Sequence, residues 1–141
     1  MNFKISNSYL SFKTSGDTDI IDITTHVSRK VAESGLTEGQ VLIFVPGSTA
    51  AVTTIEYESG VIRDLKDAIE RLAPTGILYR HDAKWGDGNG YAHVAAALLG
   101  PSLTVPLIQG RLVLGTWQQI VVVDFDNEPR DRKVLVSISG S

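Results

Sequence analysis

From Ser102 onward the chain is a succession of short apolar runs, "SLTVPLI", "RLVLGTW", "QIVVVDFD" and "RKVLVSIS", broken by the turn sequences "QG" and "DNEPRD". Runs of this length, rich in β-branched residues and bounded by turn residues, read as strands. A further strand pattern, "NFKISNSYLSF", opens the chain and puts Phe3 and Ile5 on one face. Strand candidates therefore gather at both ends and do not alternate regularly with long helices. That pattern predicts an α+β fold with mainly antiparallel β-sheets, rather than a doubly wound parallel sheet. With 141 residues, the chain is read as one compact domain over 1–141, long enough to bury a core.

Between these ends three helices are expected. "DITTHVSRKVAESG" places Ile23, Val27 and Val31 at helical spacing, with Thr24 or Thr25 as the cap and Gly35 as the stop. "ESGVIRDLKDAIERLAP" has an apolar stripe of Val61, Leu65, Ile69 and Leu72, and Pro74 ends it. "YAHVAAALLG" is the third, halted by Gly100-Pro101. "SGDTD" reads as a turn, "QVLIFV" as a buried strand and "GILYRH" as another strand. "STAAVTTIEYE" fits either helix or strand, and its Thr and Val residues favour strand.

Composition removes several function classes. There is no cysteine, so disulfides, zinc–thiolate sites and cysteine nucleophiles are excluded. A formal net charge of -3 offers no basic field for nucleic acid. The longest apolar runs are far too short to span a bilayer, and the N-terminus lacks a signal-peptide core. A cytoplasmic protein acting on a small molecule, with no nucleic-acid or membrane partner, is the expectation.

The polar chemistry concentrates in "HDAKWGDGNGYAH", which runs from His81 to His93 and leads into the third helix. Without thiolate, imidazole is the best ligand for a borderline metal, and a catalytic zinc site typically uses three protein ligands. His81 and His93 are two such ligands, and Asp82, Asp87 or Glu56 can supply a carboxylate. The alternative is that both histidines are loop residues satisfied by hydrogen bonds. "GDGNG" precedes a helix, whose start presents free N–H groups to an anion, and Gly88, Asn89 and Gly90 are candidates for that contact. The pattern matches neither the Walker P-loop nor GxGxxG, and a turn that needs glycine explains it equally well.

Three other groups stand out. Ser48 and Thr49 begin a hydroxyl-rich stretch that ends at Glu56. Trp117 and Gln118 in "GTWQQ" can stack on and hydrogen-bond a flat heterocycle, or else belong to the core. Arg130 and Arg132 can meet a phosphate bidentately or merely decorate a turn.

Together these pieces resemble one family. "YRHDAKWGDGNGYAHVAAALLGPSLTVPLIQGRLVLGTWQQIVVVDFD", then "PRDRKVLVSISG", is similar to the core signature of the secondary thiamine-phosphate synthase enzyme family. The likeness reaches upstream through "VPGSTAAVTTIEYE" and covers nearly the whole chain. It implies a homotrimer whose polar motifs line a cleft near a subunit boundary, with a divalent metal, zinc or magnesium, in some members. It also implies transfer of a pyrimidine diphosphate onto a thiazole phosphate, giving thiamine phosphate and pyrophosphate, as a secondary activity. His81 and Asp82 match the family's HD pair, His93 its helix-start histidine and Glu56 its upstream glutamate. Gly115, Thr116, Trp117 and Gln118 match GTWQ. On this likeness Glu56, His81 and His93 are the catalytic candidates, and His81, His93 and Asp82 the metal ligands. Ser48, Thr49, Gly88, Asn89, Gly90, Trp117 and Gln118 are the substrate-binding candidates. Many bacterial relatives have a histidine where Gly47 stands and an asparagine where Ile55 stands; "PGST" is similar to an archaeal branch. A non-enzymatic trimer that binds a small ligand is the alternative to an enzyme.

Overall fold

A computed structural model describes residues 2–141. The strands are β1 (Lys4–Thr14), β2 (Asp19–Asp22), β3 (Gly39–Phe44), β4 (Ala50–Ile55), β5 (Ser102–Ile108), β6 (Arg111–Leu112), β7 (Gln119–Asp124) and β8 (Arg130–Gly140). The helices are α1 (Thr24–Ser34), α2 (Ser59–Leu72), α3 (Arg80–Trp85) and α4 (Gly90–Leu99). β1, β8, β3, β5 and β6 form one sheet in that order, and β2, β7 and β4 form a second. Every pairing is antiparallel.

The sheets pack through alternating side chains. Val134, Val136 and Ile138 of β8, with Val41 and Ile43 of β3, meet Ile120 and Val122 of β7. α1 adds Val27 and Val31 at the side of this core. The other face of the three-stranded sheet carries Ile20, Ala51, Val121 and Val123, and it packs on α4 and α2. β7 is thus covered on both faces, which is why its sequence is a continuous apolar run rather than an alternating one. α4 meets this sheet through Ala92, Ala95 and Ala96, small residues that allow a close approach. Each large side chain buried here contributes about 1.5–3 kcal/mol relative to exposure.

The α+β class and the antiparallel sheets hold, with four helices instead of three. "GILYRH" is not a strand: Ile77 and Leu78 are irregular and exposed, and Arg80 and His81 open α3. Four residues of regular extended chain at Asp19–Asp22, unassigned from sequence, pair with β7 as β2. "RLVLGTW" gives only the two-residue β6, because the chain turns tightly directly after it, where the Leu114 N–H donates to the Leu112 carbonyl at 2.9 Å. Neither threonine caps α1. The Asp22 carboxylate accepts from the Thr24 N–H at 2.9 Å, and the Thr24 hydroxyl accepts instead from the N–H of Ile120 at 2.8 Å. In α2, Leu72 is exposed and Ile62 packs inward in its place.

Candidate functional site

Strand alternation carries polar residues to one end of the sandwich. Arg130 and Arg132 continue the face of β8 that holds Val134, Val136 and Ile138. Asp124 and Asp126 continue the face of Ile120 and Val122 on β7. Where the apolar filling ends, these four charges meet. Arg132 donates to Asp124 from Nε at 2.8 Å and from Nη2 at 2.9 Å. Arg130 donates from Nε to Asp126 at 3.0 Å. The Thr14 hydroxyl also donates to Asp124. Thr49 links the two pairs: its hydroxyl accepts from Arg132 at 2.6 Å and donates to Asp126 at 3.0 Å.

Asp124 is fully buried and Asp126 nearly so. Burial pushes both carboxyls up, but hydrogen bonds outweigh it and hold both below the ordinary aspartate range. Those bonds come from Arg132, Thr14 and the Asp126 N–H for Asp124, and from Thr49, Arg130, the Asn127 N–H and Asn89 for Asp126.

Above this polar floor lies an open cavity of about 550 Å³. Its walls include Ser48 and Thr49 from the approach to β4, His81, Trp85, Asp87 and Asn89 from the α3–α4 segment, and His93 from α4. Nδ1 of His81 lies 3.3 Å from Oδ1 of Asp82 and 3.3 Å from Oδ1 of Asp87. Ligand atoms of these three residues all fall within 4.8 Å of one another. The His93 ring sits against that of His81, with centroids 4.4 Å apart. One imidazole and two carboxylates are a donor set for a divalent cation, with His93 beside it.

The glycines of the loop have local duties. A Cβ at Gly90 would come within 2.5 Å of the Tyr79 Cβ, so only glycine lets α4 start this close to the segment before α3. The Gly90 N–H donates to Asp82 Oδ1 at 2.8 Å. The helix-start donor considered for an anion is therefore occupied by a carboxylate of the chain itself, and Asp82 both caps α4 and touches His81. Gly88 is exposed and is absent from the cavity wall, while Gly90 borders an adjoining hollow with Leu78, Tyr79, His81 and His93.

Of the residues singled out from sequence, Ser48, Thr49, His81, Asn89 and His93 come together at this cavity. Glu56 and Trp117 do not; in a single chain they line a different hollow with Asp22, Tyr57, Glu58, Thr116 and Gln119. Gln118 faces a third hollow and donates to the Thr54 hydroxyl at 3.0 Å. Trp85, Asp126 and Asp131 also line the cavity and were not singled out as ligand contacts. Trp85, 66% exposed, is the tryptophan beside the histidines. Asp126 was missed as well, although the period of β7 puts it on the inward face.

Comparison with known proteins agrees with this architecture. The family model described as "UPF0047 protein YjbQ-like" matches residues 8–141. A UPF0047 protein of Archaeoglobus fulgidus is 42% identical over 127 residues, 90% of this chain and 96% of that protein. One from Methanothermobacter thermautotrophicus is 39% identical over 131 residues, 93% of this chain and 90% of that protein. A crystal structure of a YbjQ-like protein of unknown function from Sulfolobus solfataricus superposes with a TM-score of 0.94 at 33% identity. It covers 99% of this chain and 100% of that one.

Proposed function

This chain belongs to the YjbQ-like UPF0047 family, and from that premise we propose that it is a divalent-metal protein acting on a small phosphorylated or heterocyclic metabolite in the cavity between α3, α4 and the Arg–Asp floor. The observation that carries the reading is the convergence of His81, Asp82 and Asp87 within 4.8 Å, with the His93 ring tilted against that of His81 at a centroid distance of 4.4 Å. Zinc and magnesium both fit the reading: imidazole favours the first and carboxylates the second.

A cation here would polarise a phosphate oxygen and stabilise a departing phosphate. Thiamine-phosphate synthase activity is the finer form of this reading and rests on the sequence resemblance. Assembly as a homotrimer belongs to the same proposal. It is supported by an apolar row on the outer face of the larger sheet, where Tyr9 (56% exposed) and Phe44 (36% exposed) flank Leu135 across β1, β8 and β3. In a trimer, the Glu56–Trp117 hollow of one chain can approach the histidine cavity of another. The cytoplasm, where phosphorylated metabolites are held, is the compartment this implies. No described helix is long and apolar enough to cross a membrane.

The test is metal content of untagged protein, wild type against His81→Ala and Asp87→Asn. Near-stoichiometric zinc or magnesium in wild type, lost in both variants, is the expected result. Wild-type protein that takes up neither metal overturns the reading, and favours a trimer that binds small ligands without turnover. Incubation with a pyrimidine diphosphate and a thiazole phosphate then tests the named transfer directly.

A further inference from the structure

We infer that Arg130 and Arg132 form an anion subsite in the floor of the histidine cavity, and that it holds a phosphoryl group together with a divalent cation seated on His81 and Asp87. The inference rests on the metal reading above and adds to it the groups that grip the anion.

The guanidinium geometry comes first. Nε and Nη2 of Arg132 are engaged by Asp124 and Thr49, and Nε of Arg130 by Asp126. Among the described residues, Nη1 of Arg132 and both Nη atoms of Arg130 make no hydrogen bond; Nη2 of Arg130 lies 3.9 Å from Glu128. No buried side-chain nitrogen is left unsatisfied, so these groups reach the cavity and solvent. Two guanidinium groups are held by their inner edges and present their outer N–H groups to one space. The Nη1–Nη2 edge of Arg130 is a free planar fork that suits phosphate oxygens, which accept two parallel bonds, and Arg132 adds Nη1 as a single further donor. Ser48 lies on the same wall and can add a hydroxyl donor.

Charge decides what accompanies the anion. Asp87, Asp126 and Asp131 line the cavity, Asp82 stands beside His81 and Asp124 lies beneath Arg132, so five carboxylates stand against two arginines. The arginine charges are neutralised before any ligand arrives. A free phosphate would enter a site whose fixed charge is net negative when the imidazoles are neutral, as metal ligation requires. A divalent cation held by His81 and Asp87 would offset most of this excess at the cavity wall and would supply positive charge beside a phosphate gripped by the arginines. The same charges reject a free dianion and accept a metal–phosphate pair.

Calorimetric titration with inorganic phosphate tests this on the whole protein, metal-free and after loading with magnesium or zinc and removal of the excess. The expected result is phosphate affinity at least about tenfold higher in the loaded protein. It should be lost in Arg130→Ala, while Arg130→Ala takes up metal as wild type does. Arg130→Lys, which keeps the charge but not the fork, should recover only part of the affinity. Equal phosphate binding with and without metal overturns the coupling. Metal uptake with no phosphate binding, or with phosphate binding unchanged in Arg130→Ala, overturns the subsite and leaves the metal reading standing. Failure to take up metal overturns that reading and the coupling together.

Discussion

Arg132 clasps Asp124 side-on, through Nε at 2.8 Å and Nη2 at 2.9 Å, at the end of a sandwich whose interior is otherwise aliphatic. The pair is the boundary between core and cavity. Removing one member leaves the other charged with little access to water, which costs about 3–5 kcal/mol. Arg132→Ala should therefore lose that much stability in urea denaturation. Arg132→Lys keeps the charge but not the fork and should fall between the two. A loss under about 1 kcal/mol for Arg132→Ala would mean that water replaces the guanidinium without strain.

Asp124 and Asp126 also set the response to acid. Their carboxyls are held below the ordinary aspartate range in the folded chain. For a depressed pKa, the unfolded chain takes up protons first as pH falls. The stabilisation is therefore complete above the unfolded value of about 3.9 and is lost as pH drops through the folded values. Denaturation midpoints should show no loss from these two groups between neutrality and about pH 5, then a decline below about pH 4. The double variant Asp124→Asn/Asp126→Asn should be less stable at neutral pH but show a shallower decline. A wild-type midpoint that rises between pH 4 and pH 3 would contradict the assignment.

Asp82 and Asp87 flank His81 at equal distance, yet they should behave differently. Asp82 holds the Gly90 N–H at 2.8 Å, whereas Asp87 is exposed and bears on His81 and Asn89. Asp82→Ala should cost about 1 kcal/mol as a lost helix cap, and Asp82→Asn, still an acceptor, should cost less. Asp87→Asn should change stability by no more than about 0.5 kcal/mol. Its effect should appear in metal affinity, lowered by at least about tenfold. Equal stability losses for the Asp82→Ala and Asp87→Asn variants would remove the distinction.

Gly47 tests how tightly the floor is built. Its φ of 122° is poorly accessible to other residues, and a Cβ there would lie 3.0 Å from Nη1 of Arg132. Gly47→Ala should cost about 1–3 kcal/mol through backbone strain. It should also weaken phosphate binding by shifting the guanidinium. A histidine at this position needs a different backbone angle or a displaced Arg132. A crystal structure of Gly47→His with Arg132 unmoved would refute that conflict.

Much of this was legible in the sequence because simple periods govern it. β1, β5 and β8 follow from alternating apolar runs and turn residues, and α2 from its amphipathic stripe; β3 follows from its apolar run, but it is not a buried strand, because only Val41 and Ile43 face the core while Leu42 and Phe44 lie on the exposed outer face. "GILYRH" misled because its apolar residues suggest a strand, whereas Ile77 and Leu78 are exposed and Arg80 and His81 already belong to α3. β2 was hidden because a four-residue edge strand carries too little pattern. The HD motif and His93 located the cavity, but Glu56 and Trp117, joined to them by likeness, fold onto another surface of the single chain. The Arg–Asp floor was available in principle. In "RDRKVLVSI", Arg130 and Arg132 share the face of Val134, Val136 and Ile138, so two arginines were bound to point inward and need carboxylates. Which carboxylates would answer depends on β7 crossing beneath β8, a long-range fact that local patterns do not contain.

The two tryptophans offer a reading of which surface takes the ligand. Trp85 lies on the wall of the histidine cavity, with the Lys84 ammonium 5.3 Å from its ring centroid; Trp117, 72% exposed, lines the other hollow. The chain has only these two, so each single Phe variant isolates one indole emission. A ring bound beside His81 and His93 should quench or shift Trp85. In protein diluted until its subunits dissociate, titration of the metal-loaded chain with a phosphorylated pyrimidine should change the fluorescence of Trp117→Phe and leave Trp85→Phe silent. In a homotrimer that brings the two hollows together, both indoles should respond, with the Trp117 signal vanishing when dilution dissociates the subunits. A response from Trp117 alone, retained in a monomer, would move the binding site away from the histidines altogether.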